Sequence, residues 1–200
     1  MQYTREQIQR AVESKGHVWF EGGDYNLNIV GIRNSETNGK VTNKFDDRIS
    51  VSYSINGELR YHEYACTTDP GSHWEKNLLN KDGVAILVPG QYRSSHKIRK
   101  HQGRYDALCQ QKNVKVYRDK NKDGIYDFTE ESIQEGIFGI NIHKAGGRVN
   151  GSTQIDKWSA GCQVLSTESD FDILMDIAYK SKDVWSNSFT YTLIESKDIV

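Results

Sequence analysis

Apolar residues near the start of the chain recur at Ile8, Ala11 and Val12, the three- and four-residue spacing of one helical face. Thr4 and Gln7 form a capping box ahead of them and Gly16 follows, so residues 4–15 are expected to form a short helix. The period then becomes two. Residues 17–20 and 27–32 read as strands around the Gly22-Gly23-Asp24 turn, and residues 34–44 as a polar loop. Residues 49–59 read as the core of a hairpin with Asn56-Gly57 at its tip. A two-residue loop would set Tyr53 opposite Arg60 and Val51 opposite His62. A three-residue loop sets Tyr53 opposite Leu59 and Val51 opposite Tyr61, and is preferred because register follows the buried face. Residues 84–88 are a short apolar run, and residues 114–117 and 189–194 are further strands. In residues 137–143, Phe138, Ile140 and Ile142 fall on one face and Gly139, Asn141 and His143 on the other. Thr167 with Asp170 opens a second helix, with a stripe of Phe171, Leu174, Ile177 and Ala178. The pattern is that of a mainly β (α+β) protein with short helices near the N-terminus and after Cys162.

Composition changes this picture only slightly. The 200 residues are 36% hydrophobic, and mean hydropathy is −0.72, so the core must be economical. Eleven Tyr, six Phe and four Trp argue against disorder. A formal net charge of −1 gives no whole-chain reason to expect nucleic acid. The basic run from Arg93 to Lys122 is read as a solvated face before a binding surface. The three cysteines, Cys66, Cys109 and Cys162, form no close-spaced pair and are not a disulfide framework. The polar start lacks the apolar segment of a secretory signal, and no run is long enough to span a bilayer. The expectation is a monomer with no membrane insertion.

The chemistry concentrates in two places. The first is His143 followed, after fifteen intervening residues, by Ser159-Ala160-Gly161-Cys162. A cysteine becomes a nucleophile when an imidazole takes its proton, and small residues before it let backbone N–H groups of Gly161 and Cys162 converge on an oxyanion. Buried cysteines and hydrogen-bonded core histidines are common, so the pair gains weight only from its spacing. His143, Ser159, Gly161 and Cys162 together resemble the signature of the L,D-transpeptidase (YkuD-type) catalytic domain. The hairpin at residues 49–59 and the turns Thr67-Thr68-Asp69-Pro70-Gly71 and Pro89-Gly90-Gln91-Tyr92 fall about where that family carries its own. The resemblance spans approximately residues 46–198. It departs from the family at Ala160, usually His, and at Val164, usually Arg or Asn.

The resemblance implies an L,D-transpeptidase-like β-sandwich or barrel at residues 46–200, with residues 1–45 an extension packed on it. It implies cysteine-dependent acyl transfer on peptidoglycan stem peptides, with Cys162 as nucleophile, His143 as base and Ser159 bracing the loop. Asn141, Gln163, Asp156 and His101 are the candidates to orient His143. Arg104, Arg148, Gln163 and His101 are the substrate-binding candidates, the two arginines replacing the family's missing one. With that polar start and the altered substrate residues, cutting is expected over crosslinking, as in a phage endolysin or virion-associated hydrolase made in the cytoplasm. The alternatives are a non-catalytic phage structural protein with an idle thiol and a cysteine protease acting on protein.

The second place is Asp119-Lys120-Asn121-Lys122-Asp123-Gly124 with Glu130 six residues on, a calcium-loop pattern. Asp119, Asn121, Asp123, the Ile125 carbonyl, Asp127 and Glu130 are the candidate ligands. A strand enters where an EF-hand would have a helix. The ion is therefore expected to be structural, with no cofactor needed for catalysis; an ion-free polar turn is the alternative.

Overall fold

The structure, a computed structural model, describes residues 2–146 and 151–200. The first helix, α1 (Arg5–Ser14), starts at Thr4 with the expected capping box and buries Ile8, Ala11 and Val12. Eight strands close a barrel. They are β1 (Asn28–Arg33), β2 (Asp47–Ile55), β3 (Glu58–Thr67), β5 (Gly90–His101), β6 (Tyr105–Gln110), β9 (Ile142–Lys144), β10 (Gln163–Leu165) and β11 (Phe189–Glu195). Around the barrel the order is β1-β11-β5-β6-β9-β10-β3-β2. A separate sheet has the order β4-β7-β8, made of β4 (Val84–Leu87), β7 (Val114–Asp119) and β8 (Gln134–Gly136). Closure leaves the barrel no open edge. The chain is therefore mainly β, as the alternation implies. Among the described residues two more α-helices follow, α2 (Ser72–Lys76) and α3 (Glu168–Val184).

The expected division at residue 45 is not a structural break. β1 pairs in parallel with β11 and antiparallel with β2, so it is a stave of the barrel, and all six of its residues are buried. Its Val30 and Ile32, with Ile194 of β11, face α1 in one apolar cluster. Ile29 belongs to the main core with Ile49, Val51, Leu193 and the expected stripe of α3. Residues 17–20 are not a strand. Gln91 bonds both backbone groups of Val18 through its side-chain amide, and Asn28 does the same for Phe20. Side-chain amides thus take the place of a ladder partner.

The hairpin also differs from expectation. Tyr53 pairs with Arg60, Val51 with His62, and Ile55 with Glu58. Asn56 and Gly57 both lie at positive φ, +51° and +79°, the two-residue primed turn that matches strand twist. His62 joins the apolar side by stacking between Tyr53 and Tyr64, at centroid distances of 6.2 and 6.0 Å, while Leu59 is exposed. Among the described residues no helix is long and apolar enough to cross a membrane.

Candidate active site

Strands β9 and β10 run parallel, with Ile142 opposite Gln163 and Val164 opposite His143. One step earlier Gln163 N–H donates to the Asn141 carbonyl at 2.8 Å, which brings Cys162 beside Asn141. Side chains alternate along each strand. Cys162 and His143 therefore fall on the same face of neighbouring strands, offset by one two-residue step. The strand expected over residues 137–143 is shorter than the alternation suggested. Gly139 at φ +76° interrupts it, and the Phe138 and Ile140 N–H groups donate to the Gln110 side-chain oxygen.

His143 is 4% exposed. Its Nδ1 lies 3.0 Å from the Lys144 carbonyl and 3.4 Å from the Tyr105 hydroxyl. A carbonyl only accepts, so Nδ1 carries the proton and Nε2 keeps the lone pair. The ring of His101 stacks on it at 4.2 Å between centroids. Burial, and then the neighbouring His101, lower the His143 pKa to about 4. Among the candidate orienters, His101 is the one brought against His143. Asn141 acts one step further out, donating from Nδ2 to His101 Nδ1 at 3.1 Å and accepting Gln110 N–H at 2.9 Å.

The Cys162 thiol is half-buried and donates to the Gly139 carbonyl at 3.2 Å. Burial pushes it up to about 11, against the opposing effect of the Asn141 N–H. The resting pair is thus a neutral thiol and a neutral imidazole. Ser159 braces the turn as expected, donating to the Cys162 carbonyl at 2.8 Å. It also accepts Gly161 N–H at 3.1 Å, so that amide is already occupied; the Cys162 N–H has no partner among the described residues. Gly161 is required where it stands: a Cβ there would meet the Ala85 carbonyl of β4 at 2.3 Å.

Two expected roles are corrected. Gln163 is fully buried, accepting Tyr191 O–H at 2.7 Å and donating to the Thr68 and Gly161 carbonyls. It is an internal strut under the cysteine turn and not a substrate contact. The Asp156 carboxylate accepts from Asn43 Nδ2 at 2.7 Å and does not orient His143. Arg104 is exposed in the turn before Tyr105; burial first, and then the Arg104 charge, lower the His101 pKa. Arg148 lies outside the described residues.

Two contributors escaped the sequence reading. Tyr105 looked like an ordinary aromatic until β6 set it beside His143. Arg118 lines a cleft of about 330 Å³ with Trp74, Leu79, Phe138 and Ala160. Its Nε donates to Gln134 at 2.9 Å, its Nη1 to the Gly83 carbonyl at 3.2 Å, and it lies 4.8 Å from the Phe138 ring centre. Its Nη2 has no hydrogen-bond partner among the described residues.

In the expected metal loop, Asn121, Asp123 and Asp127 come together, with Asn121 Nδ2 donating to both carboxylates. Glu130 instead opens a short 3₁₀ turn, Glu130–Ser132, and is exposed. Against known proteins, no family model, no curated protein and no solved structure matches this chain.

Proposed function

We propose that the chain is a cysteine-dependent acyl-transfer enzyme of L,D-transpeptidase-like kind that cuts peptidoglycan stem peptides, as a phage lytic or virion-borne hydrolase. The observation that carries this reading is the parallel pairing of β9 and β10. It sets an imidazole whose Nε2 has no hydrogen-bond partner among the described residues and a half-buried thiol on one face, the thiol two residues after Ala160 of the cleft. In the proposed reaction His143 Nε2 takes the Cys162 proton as sulfur bonds to an amide carbonyl carbon. The Cys162 N–H faces the developing oxyanion. The same imidazole protonates the leaving amine as the C–N bond breaks; a water deprotonated by His143 then bonds to the thioester carbon, and the C–S bond breaks to expel the Cys162 sulfur, which takes the proton back from His143. Arg118 and Arg104 supply guanidinium groups for the carboxylates of a stem peptide.

The test is mass spectrometry of purified peptidoglycan incubated with wild type, Cys162→Ala and His143→Ala. New fragments from wild type, reduced by at least about 10³-fold in both variants, support the reading. No products from wild type, or products that survive Cys162→Ala, sink it.

A second reading, a structural protein with an idle thiol, is favoured by one observation: the S–H group rests on the Gly139 carbonyl and burial raises its pKa to about 11. Iodoacetamide labelling against pH separates the two. An activated Cys162 reacts well below the ordinary thiol value of ~8.5, whereas an idle one does not.

A further inference from the structure

The loop leaving β7 holds a buried charge that the proposed chemistry does not use. Asp119 closes that strand at 3% exposure. One carboxylate oxygen accepts Asn121 N–H at 3.3 Å, but the other, Oδ2, is buried with no hydrogen-bond partner by geometric criteria among the described residues. A buried carboxylate oxygen in that condition is destabilising unless a donor or a cation meets it. The charges it faces are acidic. Asp127 and Asp123 are its neighbouring charges, and the Asp127 backbone N–H also approaches the Asp119 carboxylate.

The remaining groups lie in the same loop. Asn121 Nδ2 stands between two carboxylates, 3.2 Å from Asp123 Oδ2 and 2.9 Å from Asp127 Oδ2. The amide, with its partial positive charge, thus occupies the place a cation would take. Gly124, at φ +83°, permits the sharp turn between Asp123 and Ile125. Its carbonyl is taken by Val41 N–H, whereas that of Ile125 accepts no such bond among the described residues. As the loop stands, no three acidic side chains among the described residues are gathered at ion-holding distance. Reaching the ~2.3–2.6 Å of calcium–oxygen bonds needs the two carboxylates to close by roughly half an ångström.

We propose that Asp119, Asn121, Asp123, Asp127 and the Ile125 carbonyl form a calcium site, with water completing the shell and the ion displacing the Asn121 amide nitrogen. An all-oxygen, irregular loop suits calcium, which accepts six to eight ligands flexibly, better than magnesium, which demands a compact octahedron. The site bears on the rest of the molecule through short connections. Gly124 N–H donates to the buried Glu75 carboxylate at 3.2 Å, and the Tyr126 hydroxyl donates to the Pro70 carbonyl. Gly71 N–H in turn donates to the Ser159 carbonyl at 2.8 Å. Filling the loop therefore stiffens the support of the cysteine turn without taking part in its chemistry.

The experiment is calorimetric titration of the EDTA-stripped full chain with CaCl2 and separately with MgCl2, together with thermal melts in each. The expected result is one calcium site with Kd of about 10⁻⁵–10⁻³ M and a rise in Tm that magnesium reproduces only weakly. Asp123→Asn and Asp127→Asn, at exposed and half-exposed positions that keep the fold, each weaken binding at least about tenfold and remove the rise. The absence of heat and of any Tm change at about 10 mM CaCl2 would overturn the proposal. A Tm rise that survives in both variants would do the same.

Discussion

His143 and His96 show how position sets the charge of a side chain. His96 lies inside the barrel, with Nε2 2.9 Å from the Ile140 carbonyl and Nδ1 2.8 Å from the Ser95 hydroxyl. Burial lowers its pKa to about 4, as it does for His143. Between the ordinary value of 6.5 and about 4 the unfolded chain binds a proton at each site that the folded chain refuses. Each histidine's contribution is therefore full above pH 6.5 and is lost as pH falls through this window, by roughly 3 kcal/mol. Asp47, raised to about 7 by burial and then by Asp69, works in the opposite sense, so the informative measurement is a difference. In urea unfolding, the stability of wild type minus that of His96→Gln should fall by about 3 kcal/mol between pH 7 and pH 4. A constant difference would mean that His96 is not held neutral. At Gly161 the limit is steric. Gly161→Ala places a Cβ against the Ala85 carbonyl at φ +135°, and a loss of about 2 kcal/mol in the same assay is expected.

Elements closed by local chemistry were the ones legible in the sequence. Thr4 with Gln7 and Thr167 with Asp170 cap their helices as read, because a cap needs only residues three apart. Strand β5 was hidden. Its run from Arg93 to His101 reads as a basic surface, yet Ser95, His96, Ile98 and His101 are buried. The β2–β3 hairpin was located but given the wrong loop, since the side-chain pattern favoured matching apolar with apolar. The Asn-Gly pair decided otherwise, being able to occupy two positive-φ positions in succession. Asn56→Ala should accordingly cost about 1 kcal/mol in chemical denaturation, whereas a three-residue loop, in which only Gly57 takes positive φ, would tolerate it.

Across the whole molecule, the N-terminal stave is linked to the cysteine turn through the barrel interior. Gly31 of β1 has no Cβ because one would lie 1.8 Å from the Tyr191 hydroxyl. That hydroxyl donates to Gln163, which in turn donates to the Gly161 carbonyl. Gly31→Ala should therefore lower stability by about 1–3 kcal/mol and also change the iodoacetamide labelling rate of Cys162, far away in sequence. A variant whose Tm falls with labelling unchanged would show that the strut does not transmit the disturbance.

The sequence by itself determined a mainly β chain, two capped helices, the turn residues and the spacing of His143 and Cys162, because each depends on neighbours a few positions apart or on a motif. Tertiary structure alone decided that β1 closes the barrel and that His101 and Tyr105 flank the imidazole. It also decided that Gln163 faces inward and that burial keeps both thiol and imidazole uncharged. Those outcomes depend on which strands lie side by side and on how far water is excluded from them, and neither follows from the order of residues along one strand.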